Sequence, residues 1–337
     1  MGLHERTTLD MTDTDAATRP YAPFGLDADP ASSGLVPVTV DTELGPIRVH
    51  RSATRTGSTA TLLLHGAAGS WTTWTPLLAA ARAAGEPLAD VVAIDLPGWG
   101  DSPGPRIRSR LTLDSLADVV WRAVTQLGYT RADITGHSLG AFIALHLAAI
   151  RPAHVTAVRL VSATTFSVLA SIEHPVRSFS AVPGFTLLLG VFRLLRTGGD
   201  RGVRLVRAVR KAGLLRVAVS PLFRHTLRVP RSVVNALADE VRPDSFVRAA
   251  EATRGYDPQR RWTSIRCAVW AVRGDADSFV PSRDLTGLLR TIPLATLTEI
   301  GDCGHFAHVE RPRETLEALG LATSRRPLGT KNEAAAR

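Results

Sequence analysis

The chain predicts an α/β fold, a mostly parallel twisted sheet flanked by helices, with a helical cap inserted before the last strands. Three observations carry this. From about Gly34, short apolar runs bounded by Gly, Pro and Asp alternate with longer stretches of helical periodicity. The alternation stops after Ala163 and resumes only after Trp262. The 337 residues, 45% of them hydrophobic, suffice for one large core with an appended smaller unit.

Taken in chain order, "VPVTVDTELGPIRVHRSA" reads as a hairpin turning at Gly45-Pro46. Six runs then have the length and apolar content of buried parallel strands: "ATLLLHG", "DVVAIDLPG", "ADITGHS", "VTAVRLVSA", "CAVWAVRGD" and "ATLTEIG". Helical patterns separate most of them, namely "WTPLLAAARAAG", "LDSLADVVWRAVTQLG" and "LGAFIALHLAAIRP". In the second, Leu113, Leu116, Val119, Val120, Ala123, Val124 and Leu127 recur at spacings of three and four, which gives a helix one buried face. Between Ala163 and Trp262 only apolar-basic helical pattern remains, as in "GFTLLLGVFRLLRTGG" and "RGVRLVRAVRKAGLLRVAV". Ordinary connections run to about 4–6 residues. The stretch therefore reads as a cap over 166–259, set into a core of 34–165 and 260–323, with loose tails at 1–33 and 324–337.

Charge and cysteine content narrow the class. The formal net charge is +9, and 166–262 alone holds 17 Arg or Lys against 7 Asp or Glu. A solvated basic face is the favoured reading, and contact with an anionic head group or membrane surface is the alternative. No helix-turn-helix, RNP or zinc-finger pattern supports a nucleic-acid partner. The two cysteines, Cys267 and Cys303, form no CxxC pair, so a disulfide scaffold and a thiolate zinc site are both unsupported, and a cytoplasmic location is expected. The first twenty residues lack the apolar stretch of a secretory signal, and no window approaches 18 consecutive apolar residues.

The chemistry centres on "ITGHSLGA". A serine hydroxyl is a weak nucleophile at neutral pH and needs a base, itself oriented by a third group. Gly136 and Gly140 frame Ser138 as G-x-S-x-G between an apolar strand and an apolar helix, the setting in which a sharp turn lifts the hydroxyl above a sheet. Downstream, "CAVWAVRGDADSFVP" ends a strand with Asp275 and Asp277, and "LTEIGDCGHFAHVERP" ends the next with His305. The chain order is Ser, Asp, His.

With "LLLHGAAGSWTTW" and "DLPGWGDS", these segments resemble those of capped α/β-hydrolases, over most of the chain from about Gly34 to Leu321. The resemblance implies that Ser138 attacks, that His305 carries its proton, and that Asp277 holds the imidazole, because Asp277 matches the G-x-x-D-x-x-x-P spacing from Gly274 to Pro281. Asp275 is then expected to cap or brace the loop. The backbone N–H groups of Ala67 and Leu139 would form the oxyanion hole. His65, His137, Trp71, Trp99 and Phe306 are candidate pocket-lining residues, with His65 more readily a brace for its loop and the two tryptophans more often core. His308, one helical turn beyond His305, is expected at the surface or in packing. Ser138 also disfavours dehalogenase and epoxide hydrolase chemistry, which the family performs with an elbow aspartate.

The activity so implied is hydrolysis of a small-to-medium hydrophobic carboxylic ester without metal or organic cofactor. C–C bond hydrolysis, thioester or lactone hydrolysis and perhydrolysis use the same residues. A non-catalytic binding protein on this fold is the alternative outside enzymology.

Overall fold

A computed structural model of the chain describes residues 9–10, 19–107, 110–211 and 215–322. The strands are β1 (Leu9–Asp10), β2 (Leu35–Thr42), β3 (Gly45–Ser52), β4 (Thr59–Leu64), β5 (Val91–Ile94), β6 (Arg131–His137), β7 (Val155–Val161), β8 (Ala268–Gly274) and β9 (Ala295–Ile300). They form one nine-stranded sheet in the order β1-β9-β8-β7-β6-β4-β5-β3-β2. The pairs β2/β3 and β3/β5 are antiparallel and all others parallel. The six apolar runs are the parallel strands β4 to β9. The hairpin turns two residues earlier than its Gly-Pro suggests, at Glu43-Leu44, because Gly45 already pairs with Thr42 and Leu44 is buried.

Helices are α1 (Thr75–Ala83), α2 (Leu113–Gln126), α3 (Leu139–Ile150), α4 (Phe166–Glu173), α5 (Pro183–Thr197), α6 (Asp200–Lys211), α7 (Leu215–Ala218), α8 (Arg231–Asp239), α9 (Pro243–Ala252), α10 (Pro258–Arg261), α11 (Ser282–Thr291), α12 (Ala307–Glu310) and α13 (Pro312–Ala318). They cover both sheet faces, and the strands' twofold alternation sorts their side chains. Leu62, Leu64, Val92 and Ile94 pack with Leu116 and Val120 of α2 and Phe142 of α3. Leu63, Val91 and Ala93 pack on the opposite face with Leu77 and Leu78 of α1 and Leu316 of α13. Helix α3 is buried from Leu139 to Ala149, so its apolar residues run all round it.

Helices α4 to α10 lie between β7 and β8. Within this insertion Phe185, Leu189 and Phe192 of α5 pack with Phe246, Val247 and Ala250 of α9, and the Phe192 and Phe246 rings stack at 4.3 Å. Polar clasps fix it to the core. The Arg242 guanidinium donates to the carbonyls of Gly98 (3.2 Å) and Gly100 (2.7 Å), and the Gly100 N–H donates to Glu240 (2.9 Å).

The expected N-terminal tail needs correction from residue 19 onward. Tyr21 and Ala22 are buried, and the Tyr21 hydroxyl donates to the Glu310 carboxylate at 2.6 Å. That partner lies 289 residues away, so local composition carries no trace of the contact. Most of residues 1–18 and the expected tail at 324–337 lie outside the described residues. Among the described residues no helix is long and apolar enough to cross a membrane.

Candidate active site

The parallel strands β6, β8 and β9 deliver the candidate residues from their C-terminal ends, where an open α/β sheet binds ligands. Ser138 sits between β6 and α3 with φ +50° and ψ −112°. Such a backbone costs a non-glycine residue about 1–3 kcal/mol and persists only where its surroundings impose it. They do so here. A β-carbon at Gly136 would lie 2.4 Å from the Gly140 carbonyl oxygen, and one at Gly140 would lie 2.1 Å from that of Leu64. Both glycines are therefore steric requirements of a turn that raises Ser138, whose own N–H donates to the Val161 carbonyl at 3.0 Å.

His305 stands in the loop between β9 and α12 and is 3% exposed. Its Nδ1 lies 3.0 Å from each carboxylate oxygen of Asp277. Asp277 Oδ1 also accepts the N–H groups of Phe279 (2.8 Å) and Val280 (3.2 Å). Burial pushes the Asp277 carboxyl up, but the His305 charge and these hydrogen bonds prevail and hold it below the usual carboxylate range. An ionised Asp277 requires Nδ1 to be the protonated nitrogen, leaving Nε2 free to accept a proton.

Asp275 does something else. Its two oxygens accept the N–H groups of Asp302 (3.1 Å) and Cys303 (3.0 Å), so it ties the loop after β8 to the loop that carries His305.

The loop itself is held by a residue outside the sequence-based set. Glu310, fully buried, accepts the N–H groups of Gly304 (2.8 Å) and Phe306 (3.0 Å), on either side of His305, together with the Arg224 N–H (2.9 Å) and the Tyr21 hydroxyl. The His305 N–H donates to the Leu222 carbonyl at 2.9 Å, and its carbonyl meets His137 Nε2 at 3.0 Å. Glu310 shows in sequence only as a charge in the apolar context "GHFAHVERP".

Ala67 and Leu139 line the same cavity as Ser138 and His305. Leu139 opens α3, where the first-turn N–H groups have no acceptor within the helix and the helix dipole favours negative charge. His65 is a brace. It meets the Gly66 carbonyl through Nδ1 (2.7 Å) and accepts the Leu96 N–H through Nε2 (2.9 Å), and burial pushes its pKa down, so it stays neutral.

His137 and Phe306 line the cavity, whereas His65, Trp71 and Trp99 do not, which corrects that expectation. Trp71 stacks on His50 at 4.1 Å, and Trp99 is buried against His65, both on the core side of the loop. His308 is buried between Trp74 and His137. Neither of its ring nitrogens finds a hydrogen-bond partner among the described residues, and burial, with His305 nearby, pushes its pKa down to about 3.

The cavity measures about 480 Å³, within the range of small-molecule sites. Its outer walls come from the insertion, including Leu188, Phe192 and Leu195 of α5, Leu205 and Val209 of α6, and Phe246 of α9. Among the described residues its lining contains no Asp, Glu, Lys or Arg. The described basic side chains of the insertion are thus kept out of the site.

Comparisons with known proteins agree with this architecture. A family model described as "Alpha/beta hydrolase family" matches residues 61–318. A 2-hydroxy-6-oxononadienedioate/2-hydroxy-6-oxononatrienedioate hydrolase from Burkholderia vietnamiensis is 28% identical over 87% of this chain and 98% of its own. A dihydrolipoyllysine-residue acetyltransferase component of an acetoin cleaving system from Cupriavidus necator is also 28% identical, over 80% of this chain, which spans only 64% of that protein. A solved thermophilic esterase from Thermogutta terrifontis superposes with a TM-score of 0.61 at 21% identity, covering 85% of this chain and 97% of its own.

Proposed function

Because this chain is a hydrolase belonging to the alpha/beta hydrolase family, we propose that it hydrolyses carboxylic esters with an apolar acyl group of medium length. The observation that carries the proposal is the convergence of a strained Ser138, a His305 held by Asp277 at 3.0 Å, and one uncharged cavity above both. In the proposed reaction the Ser138 hydroxyl attacks the ester carbonyl while His305 Nε2 takes its proton. The oxyanion that develops is met by the N–H groups of Ala67 and Leu139, each such donor being worth about 3–4 kcal/mol. Collapse of the adduct breaks the C–O bond, the alcohol leaves with the proton from His305, and an acyl-Ser138 remains. Water, activated by the same imidazole, releases the acid and restores the serine.

The lining supports esters over the substrate of the dioate hydrolase. A dioate brings two carboxylates, and burying an unpaired carboxylate in an apolar wall costs several kcal/mol per ion. An apolar acyl chain incurs no such penalty and gains about 0.8 kcal/mol for each buried methylene.

The test is a series of p-nitrophenyl esters from acetate to palmitate. Turnover should peak at an intermediate chain length and vanish in Ser138→Ala, and a fluorophosphonate probe should label the active chain at Ser138. Absence of both turnover and labelling overturns the proposal.

A further inference from the structure

Helix α5 is apolar on two opposite sides. Phe185, Leu189 and Phe192 are buried against α9. Leu187, Val191 and Leu194 repeat the same four-and-three spacing on the other side and stand 64%, 44% and 73% exposed. Leu205 of the adjoining α6, 56% exposed, adds to that outer side. One exposed leucine needs no explanation, but an apolar stripe across two neighbouring helices does. An apolar helix side belongs in apolar surroundings, and the described protein covers only one of the two on this helix.

Two further observations identify what covers the rest. Leu187, Val191 and Leu205 also line the cavity, so the stripe is its outer rim. The stretch 183–211 carries seven Arg or Lys against one acid, Asp200. Arg196 is engaged by Asp244 and Glu251, while Arg201 and Arg204 are exposed. A second copy of the chain on this face would set like charges against each other. A bilayer surface of anionic lipid accommodates both the apolar stripe and the cations around it.

We propose that the outer face of α5 and α6 docks on an anionic lipid surface and opens the cavity rim towards it. Docking stands independently of hydrolysis. Only its use, to draw apolar esters from the surface into the cavity, rests on the ester reading above.

The test uses the full chain with Ser138→Ala, so that binding is read without turnover. It is sedimented with vesicles of phosphatidylglycerol and phosphatidylcholine, or of phosphatidylcholine alone, at low and high salt. Binding to the anionic vesicles should exceed binding to the neutral ones by at least roughly tenfold and weaken with salt. Leu194→Asp, and separately Arg201→Glu with Arg204→Glu, should each weaken it by about tenfold. Leu194 lies outside the cavity lining, so in the active chain Leu194→Asp should leave turnover of a water-soluble short ester unchanged, which also reports that it folds.

No binding to anionic vesicles at low salt overturns the proposal, as does binding that neither variant weakens. So does a dimer in solution that Leu194→Asp dissociates, since a second copy would then be the occupant. Vesicle binding that follows the prediction, in a chain that hydrolyses no ester, upholds docking and overturns only the ester reading.

Discussion

Asp277→Asn separates an oriented imidazole from one that is merely present. In the folded chain Asp277 Oδ1 accepts the N–H groups of Phe279 and Val280, at 2.8 and 3.2 Å. An asparagine keeps its oxygen on those two donors, which places its NH2 at the Oδ2 position, 3.0 Å from His305 Nδ1. The NH2 opposes a proton on Nδ1 and donates to a bare Nδ1, which favours the tautomer that holds its proton on Nε2, even though the retained oxygen at the Oδ1 position also lies 3.0 Å from Nδ1. The nitrogen that should accept the Ser138 proton is then occupied. A wrong tautomer of this kind costs about four decades in kcat, or about 5.5 kcal/mol of transition-state stabilisation.

Asp275→Asn is the matched control. It retains an oxygen for one of the N–H groups of Asp302 and Cys303, and loses about 1–3 kcal/mol of stability while the rate falls by no more than about tenfold. The assay is kcat on the best p-nitrophenyl ester beside thermal melting of each variant. A rate loss under about tenfold for Asp277→Asn, or the opposite ranking of the two variants, refutes the tautomer argument.

Gly140→Ala should fail to fold or lose more than about 4 kcal/mol, because its β-carbon meets the backbone oxygen of Leu64 at 2.1 Å; an unchanged urea midpoint contradicts the packing described. Glu310→Gln should lower kcat by about tenfold or more with little change in KM, whereas Tyr21→Phe, which removes one of its partners and leaves the N–H groups flanking His305 held, should cost only about 1 kcal/mol of stability; equal kinetic effects would refute a positioning role for Glu310. The lowered pKa of Asp277 contributes stability that is fully present above the unfolded carboxyl value of about 4 and is lost as pH falls through the folded value. Stability measured by urea melts should therefore fall more steeply below about pH 4 in the parent than in Asp277→Asn, and identical slopes would show that the carboxylate gains nothing on folding.

The sheet was legible because each strand carries its own evidence. "TLLL" and "VVAI" are continuous apolar runs because both faces of a parallel sheet are covered, and Leu62 and Leu63 do face different cores. The elbow was legible for a similar reason. Its glycines are demanded by backbone atoms within four residues of Ser138 or on the neighbouring β4, so the requirement shows as a short local pattern. What failed to show depends on distant partners. Asp275, Asp277 and Glu310 are carboxylates within 36 residues of one another, yet one binds loop N–H groups, one a ring, and one the two sides of a histidine. Spacing after Gly274 distinguishes the first two. Nothing local marks Glu310, because half of its partners, Tyr21 and Arg224, come from segments remote in the chain. Trp71 and Trp99 were ambiguous for the converse reason: an aromatic side chain near a site in sequence fits a core as well as a pocket, and here the core, the favoured of the two readings, holds both, with two histidines as packing partners.

The insertion shows how far charge counting carries. Its excess of basic residues suggested an anionic ligand as one reading, yet the cavity beneath it is lined without a single charged side chain among the described residues. Helical geometry reconciles the two. With 3.6 residues per turn, α5 turns Leu188, Phe192 and Leu195 to the cavity and Arg193 away from it, while Arg196 lies on the side that meets α9 and is paired there by Asp244 and Glu251, so one short segment presents an apolar wall to the site and keeps its cations off it. An unpaired guanidinium turned inward would cost several kcal/mol, more than a medium acyl chain could recover through one or two methylenes at about 0.8 kcal/mol each. The net charge of a cap is therefore evidence about what meets its outside. The character of the substrate must be read from the residues at the complementary positions of the same helix.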